Sequence, residues 1–349
     1  MSDFHALTVS KIESLTPNAV AVTLEVPEAL QETFQYQPGQ YITIQHFVGE
    51  EELRRSYSLC SEANGKSWTV GIKKMEGGVF SVYANEDLKV GDTLNVMPPQ
   101  GHFVLNISPE NQHTYLAFVA GSGITPVMAM IKTVLKEEPL ATFVLAYGNQ
   151  SIEETMFYKE LEALKNEFPD RFKIEFFFSR KSIDGSFFGR IERSMVNYLL
   201  KNRYKDVDFH SYYLCGPEAM IDEVKETLLE KGVDEKAIHF ELFSSKDQGE
   251  LTQPHDGQTQ ITVTVDDETE TFVMPQDKSV LEAVLEKDLD APYSCRGGIC
   301  SSCMAKLKEG KVEMRKNLIL TDSELEEGYI LTCQSHPTTP IIVVDYDDI

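Results

Sequence analysis

From residue 1 to about 105, apolar and polar residues alternate in short runs: VAVTLEV (20–26), QYITIQ (40–45), WTVGIKK (68–74) and TLNVMPP (93–99). A period of two puts every other side chain on one face, so each run predicts a half-buried strand. Pro38-Gly39 and Gly91-Asp92 supply turn chemistry between the runs, and the set predicts an antiparallel β-barrel or sandwich. The pattern changes from Tyr115. YLAFVA, TFVLAYG, KIEFFFS and SYYLCG are nearly continuous apolar runs, as strands covered on both faces require. Between them PVMAMIKTVLKE (126–137) and ETMFYKELEALKNE (154–167) predict helices, and this alternation means a parallel α/β sheet with crossovers. Residues 244–260, SSKDQGELTQPHDGQTQ, are polar and aperiodic and read as a linker. Beyond it QITVTVD and TETFVMP predict a hairpin, SVLEAVLEKD a helix and IIVVDY a last strand. The expected organisation is multidomain: a barrel over 1–106, an α/β domain over 107–243, a linker over 244–260 and a small α+β domain over 261–349.

The 349 residues suffice for two or three domains with their own cores. A net charge of −24 works against nucleic acid and anionic membranes as partners. Residues 261–349 carry 18 Asp and Glu against 8 Lys and Arg, which fits a solvated face or a face that docks on a basic partner. No segment approaches the roughly 18 apolar residues of a membrane span. The opening MSDFHALTVSKIES lacks a basic run followed by an apolar one, so no secretory leader is read there and a cytoplasmic location is expected.

Six cysteines change the picture, because three fall within CRGGICSSC, residues 295–303. With Cys333 they give the spacing C-x4-C-x2-C-x29-C over Cys295, Cys300, Cys303 and Cys333. C-x4-C-x2-C with a distant fourth cysteine is the spacing of a plant-type [2Fe–2S] centre. Gly297 and Gly298 allow the loop to turn its N–H groups toward sulfur. Structural zinc is the alternative, but its cysteines usually come as two close pairs, and only one stands here.

A [2Fe–2S] centre accepts single electrons and a hydride carries two, so a flavin is expected between a nicotinamide and the cluster. The first segment offers Arg55-Ser56-Tyr57-Ser58 and Gly77-Gly78-Val79-Phe80-Ser81. They supply a cation, an aromatic face, a hydroxyl and small residues before a helix N-terminus, as a flavin with its phosphates asks. A half-buried strand and a turn opening a helix would look the same. In the second segment Gly121-Ser122-Gly123-Ile124-Thr125-Pro126 links a strand to a helix, where glycines let a pyrophosphate approach backbone N–H groups. Cys215-Gly216-Pro217 ends another strand, at the carboxyl edge where such sheets bind ligands; alone, Cys215 also reads as a small buried hydrophobe. Ser179-Arg180-Lys181 ends a third strand and suits either a 2′-phosphate or solvent.

The order RxYS, GGxxS, GxGITP, CGP resembles the ferredoxin–NADP reductase superfamily, and the plant-type ferredoxin segment makes the whole chain similar to oxygenase reductases with all three modules in one polypeptide. The tail GKVEMRKNLILTDSELEEGYILTCQSHP and AYGNQ resemble the reductase subunits of phenylacetyl-CoA epoxygenases. The resemblance implies an FAD-binding barrel, an NAD(P)-binding domain and a β-grasp ferredoxin domain. It implies FAD stacked on Tyr57, with Arg55 and Ser81 at the phosphates and Ser58 near the flavin N5. Cys215 and Glu241, from HFELF, would lie around the nicotinamide where hydride passes. Gln150 stands where many relatives have arginine, which leaves NADPH or NADH open; Ser179, Arg180 and Lys181 favour NADPH. The electron acceptor implied is an oxygenase component, since the eight histidines are scattered and no di-iron or Rieske ligand pattern occurs. A reductase of a Rieske dioxygenase, another multicomponent monooxygenase or a hybrid-cluster protein would share these modules, and a silent interaction subunit is the rival of another class.

Overall fold

The computed structural model describes residues 4–49, 51–243, 251–252 and 255–349. The chain falls into two compact units, one of residues 5–53 and 57–243 and one built chiefly on the C-terminal segment.

The first sheet contains β1 (His5–Thr16), β2 (Ala19–Glu25), β3 (Tyr41–Val48), β4 (Glu51–Ser58), β5 (Trp68–Lys73) and β6 (Thr93–Val96), in the order β4-β3-β6-β1-β2-β5. A bridge from Leu59 to Val70 joins the two edges, so the sheet closes. TLNVMPP leaves the sheet after Val96, because Pro98 and Pro99 have no N–H for a ladder. Helix α1 (Val79–Glu86) follows β5.

The second sheet is wholly parallel: β7 (Thr114–Ala120), β8 (Thr142–Asn149), β9 (Phe172–Phe178), β10 (Phe187–Phe188), β11 (Ser211–Cys215) and β12 (Ile238–Glu241), ordered β10-β9-β8-β7-β11-β12. Its helices are α2 (Ile124–Glu137), α3 (Tyr158–Glu167), α4 (Arg193–Tyr198) and α5 (Glu218–Glu230). The helix expected over 154–167 starts only at Tyr158, since Phe157 takes a left-handed backbone (φ 60°). Met156 and Phe157 are both buried in the core ahead of the helix. That core is shared by barrel and sheet, for Ala19, Ala21, Cys60, Phe103 and Leu105 pack with Val127, Met130, Ile131 and Val134 of α2.

The C-terminal segment forms a mixed sheet of β13 (Gln258–Val265), β14 (Glu268–Pro275), β15 (Met304–Glu309), β17 (Tyr329–Leu331) and β19 (Ile341–Asp345), ordered β14-β13-β19-β15-β17. A separate ribbon pairs β16 (Val312–Met314) with β18 (Ser335–Pro337). Helix α6 (Val280–Leu285) starts on a reciprocal Ser279–Glu282 capping box, and α7 (Asp322–Glu326) on one from Thr321 and Glu324. Of the expected linker, 244–250 and 253–254 lie outside the described residues, and β13 begins at Gln258. Thr252 and His255 are fastened to β16: both donors of Thr252 bond Oε1 of Glu313, and His255 Nε2 lies 3.0 Å from its Oε2.

Gly39 shows how tightly barrel and sheet are joined. Its φ is +111°, and a Cβ there would sit 1.9 Å from the Phe103 carbonyl oxygen and 2.7 Å from Met130 Cε of α2. Gly39→Ala should therefore destabilise the unit by about 2 kcal/mol or more, read as a lower midpoint for thermal loss of flavin.

Candidate functional site

The flavin candidates lie on β4 and in the turn before α1. Ser58 is buried, Ser56 and Tyr57 half-buried and Arg55 exposed, and the Tyr57 ring packs 5.6 Å from that of Phe80. Gly77 takes φ +72° to turn the chain. At Gly78 a Cβ would meet Ser81 Oγ at 2.4 Å, so glycine is what lets that hydroxyl fold back and accept from Met75 N at 3.2 Å. Val79 opens α1 and is exposed, and no side chain caps the helix. Its first N–H groups are therefore available to an anion. The residues fit a flavin whose phosphates meet this helix end.

The nucleotide candidates lie at the carboxyl edge of the parallel sheet. Gly121 follows β7 with φ +57° and opens a 3₁₀ turn over Gly121–Gly123 that runs into α2. A Cβ on Gly123 would stand 2.3 Å from the carbonyl oxygen of Cys215, so the turn can approach the end of β11 this closely only with glycine there. Gly216 is constrained likewise, its Cβ position falling 3.1 Å from Ala120 N. Thr125 and Pro126 are buried in the first turn of α2, where Thr125 Oγ1 donates to Ser122 O at 3.1 Å. Pro217 precedes α5.

Ser58, Cys215 and Glu241 come together from three distant stretches of chain. Cys215 and Glu241 are register partners at the ends of β11 and β12, and Ser58 Oγ donates to Glu241 Oε2 at 3.3 Å. Burial pushes the Glu241 carboxyl up to about 8, opposed by the Ser58 hydrogen bond. Burial, and then Glu241, hold the Cys215 thiol well above its ordinary value. Ser58, Cys215 and Glu241 are all buried, and burial favours the protonated forms of Glu241 and Cys215 at neutral pH.

Ser179, Arg180 and Lys181 follow β9. Ser179 Oγ donates to Asn149 O at 3.4 Å, Arg180 is exposed, and Lys181 Nζ lies 3.5 Å from Glu153 Oε1 with both side chains in solvent. Lys181 thus already faces a carboxylate. Two residues that the sequence patterns did not single out stand at the glycine turn. Lys73 Nζ is 4.0 Å from where a Gly121 Cβ would be, and the buried Tyr147 donates its hydroxyl to Gly121 O at 2.9 Å. The position of Lys73, ending a strand just before the Gly-Gly turn, was the available signal; nothing local marks Tyr147.

The four cysteines of the C-terminal segment gather in two pairs. Cys300 Sγ lies 3.0 Å from Cys295 Sγ, and Gly297 N donates to Cys295 Sγ at 3.3 Å. Hydrogen bonds within the pairs hold the Cys295 and Cys333 thiols low and push Cys300 and Cys303 up, Cys303 being bonded to Cys333. Gly298 takes φ +70°, with its Cβ position 2.9 Å from Lys316 O, and Gln334 Nε2 donates to Arg296 O at 2.9 Å. Among the described residues no three His, Cys, Asp or Glu are grouped as one ion requires. Two thiol pairs with an inward N–H instead fit a two-iron centre, in which each iron takes two thiolates.

Three family descriptions match the chain in sequence: an oxidoreductase FAD-binding domain over residues 6–105, an oxidoreductase NAD-binding domain over 118–226 and a 2Fe-2S iron-sulfur cluster binding domain over 263–338. A subunit of the 1,2-phenylacetyl-CoA epoxidase of Escherichia coli (strain K12) is 40% identical over 352 residues, covering 99% of each chain. The ferredoxin reductase component of 3-ketosteroid-9-alpha-monooxygenase from Rhodococcus rhodochrous is 30% identical, covering 97% of this chain and 96% of that one. Among solved structures, phthalate dioxygenase reductase shares the fold with a TM-score of 0.61 at 23% identity, over 98% of both chains. With an FAD barrel, a parallel NAD-binding sheet and a four-cysteine ferredoxin segment in one polypeptide, the chain belongs to the NAD(P)H-dependent flavin iron–sulfur reductases of the ferredoxin–NADP reductase superfamily.

Proposed function

We propose that this reductase delivers electrons to the oxygenase component of a phenylacetyl-CoA epoxidase. The observation that carries the reading is the end-to-end similarity to a component of the Escherichia coli epoxidase. A bound FAD would supply hydride acceptance from NAD(P)H and single-electron release toward a [2Fe–2S] cluster and the oxygenase. The chain's own residues bind and orient. Tyr57 would flank the flavin ring, Arg55, Ser56, Gly77, Gly78, Val79 and Ser81 would serve its phosphates, and Ser58 would lie near its reactive edge. Gly121, Gly123, Thr125, Pro126, Gly216 and Pro217 form the nucleotide cradle, with Cys215 and Glu241 beside the nicotinamide. Glu241 holds a proton at neutral pH on one carboxyl oxygen while the other accepts from Ser58. Cys295, Cys300, Cys303 and Cys333 hold the cluster. The proposed domains are 1–106, 107–243 and 261–349, with 244–260 between them. A cytoplasmic location is part of the proposal; no helix among the described residues is long and apolar enough to cross a membrane.

The direct test supplies the purified epoxidase oxygenase with phenylacetyl-CoA, NADPH or NADH and this chain as sole electron donor. Epoxide formation is expected. Absence of product while ferricyanide is still reduced would assign the chain to another oxygenase. Cys303→Ser should abolish cluster absorption and product yet leave flavin bleaching by NAD(P)H largely intact.

Ser179, Arg180 and Lys181 are proposed to bind the 2′-phosphate of NADPH. Arg180→Ala should lower kcat/KM for NADPH roughly ten- to a hundredfold, the worth of one charged hydrogen bond, and leave NADH turnover nearly unchanged. A wild-type preference for NADH would reverse this lean.

Glu241 gives a pH signature. Its folded value of about 8 lies above the unfolded one, near 4.3 for a glutamate. The folded state therefore retains a proton that the unfolded state releases, and wild-type stability falls as pH rises through that window. The melting-point advantage of Glu241→Gln over wild type should grow between pH 6 and 8 and level off at higher pH. A constant difference would mean that Glu241 is ionised in the folded protein.

A further inference from the structure

Tyr147 sits on β8 opposite Val119 of β7, in register. It is wholly buried, and burial holds its phenol far above its ordinary value, so the hydroxyl keeps its proton. That proton has two carbonyl neighbours, Gly121 O at 2.9 Å and Met156 O at 3.4 Å; the shorter contact takes it. Gly121 O also accepts from Ile124 N at the start of α2. Both lone pairs of this carbonyl are then used, and its direction is fixed toward the interior. In a trans peptide the N–H points opposite to the C=O. Pinning the Gly121 carbonyl on a buried phenol therefore turns the Ser122 N–H away from the core. The left-handed Gly121 is the residue whose peptide would otherwise have most freedom to rotate.

We infer that Tyr147 is a positioning residue for the nicotinamide nucleotide. Its hydroxyl never touches the ligand; it fixes the Gly121–Ser122 peptide so that the turn presents its N–H to the nucleotide's phosphates. The inference rests on the reading of residues 121–123 as the nucleotide turn.

The test compares three variants of the holoprotein, Tyr147→Phe, Tyr115→Phe and Gly121→Ala, by stopped-flow flavin reduction over a range of NADPH and NADH concentrations. Tyr115 lies at the opposite end of β7 and donates its hydroxyl to Glu138 Oε2 at 2.9 Å, so it controls for loss of a buried phenol hydrogen bond as such. Tyr147→Phe should raise the half-saturating concentration of both nucleotides roughly three- to tenfold, as for one neutral hydrogen bond. The limiting rate at saturation should stay within about twofold, because Tyr147 touches no reacting atom. Tyr115→Phe should lower the melting point without moving nucleotide affinity. If Tyr147→Phe behaves like Tyr115→Phe while Gly121→Ala weakens nucleotide binding, the positioning role is overturned and the turn reading stands. If neither Tyr147→Phe nor Gly121→Ala affects nucleotide affinity, both are overturned.

Discussion

The core that barrel and parallel sheet share is what the candidate site depends on. Small barrel residues, Ala19, Ala21 and Cys60, lie against α2, and Phe103 and Leu105 carry the chain from one sheet to the next through the same cluster. Burial of this kind yields roughly 25 cal/mol per Å² of apolar surface, so the two sheets cannot slide without exposing that surface. Ser58 of β4 and Glu241 of β12, 183 residues apart, meet at 3.3 Å because this packing holds their strand ends together. A hydrogen bond worth about 1 kcal/mol could not enforce such an alignment by itself.

Glycine then decides how close the turns at the carboxyl edge of the parallel sheet may come. Gly123 against the Cys215 carbonyl and Gly216 against Ala120 are backbone-to-backbone approaches. They seat the Gly121–Gly123 turn on the end of β11, whose Cys215 pairs in register with Glu241 of β12. The environment that results is poor in water, and it is this that keeps a carboxylic acid protonated at neutral pH. On the proposed reading, a neutral wall there would keep a buried negative charge away from the nicotinamide amide and the flavin's polar edge.

Much of the fold was legible because it is written in local periodicity. WTVGIKK, SYYLCG and IIVVDY each mark a strand within one or two residues, and SVLEAVLEKD marks α6. That helix is shorter than its run, ending at Leu285 with Asp288 in a left-handed turn. Phe157 was the clearest departure, since its local pattern favours a helix while its backbone is left-handed. The cysteine spacing announced its chemistry because it is a local motif with one distant member. Lys181 paired with Glu153 and the Tyr147 hydroxyl were not legible, and Lys73 over Gly121 was marked only by its place before the Gly-Gly turn. Each depends on which strand lies next to which, and strand order leaves no mark in a single stretch of sequence.

The two thiol pairs differ in what assembles them. Cys295 and Cys300 are neighbours along one loop and need only that loop to turn. Cys303 and Cys333 meet because β15 and β17 run side by side, with Met304 opposite Leu331, and Thr332 bonds the Cys303 carbonyl through both its N–H and its hydroxyl. The second pair therefore exists only after about thirty residues of loop have been closed, at an entropic cost that the sheet must supply. On the proposed ligand set, a chain that has not paired β15 with β17 would offer only the Cys295–Cys300 half of it, so the complete set depends on the threaded sheet.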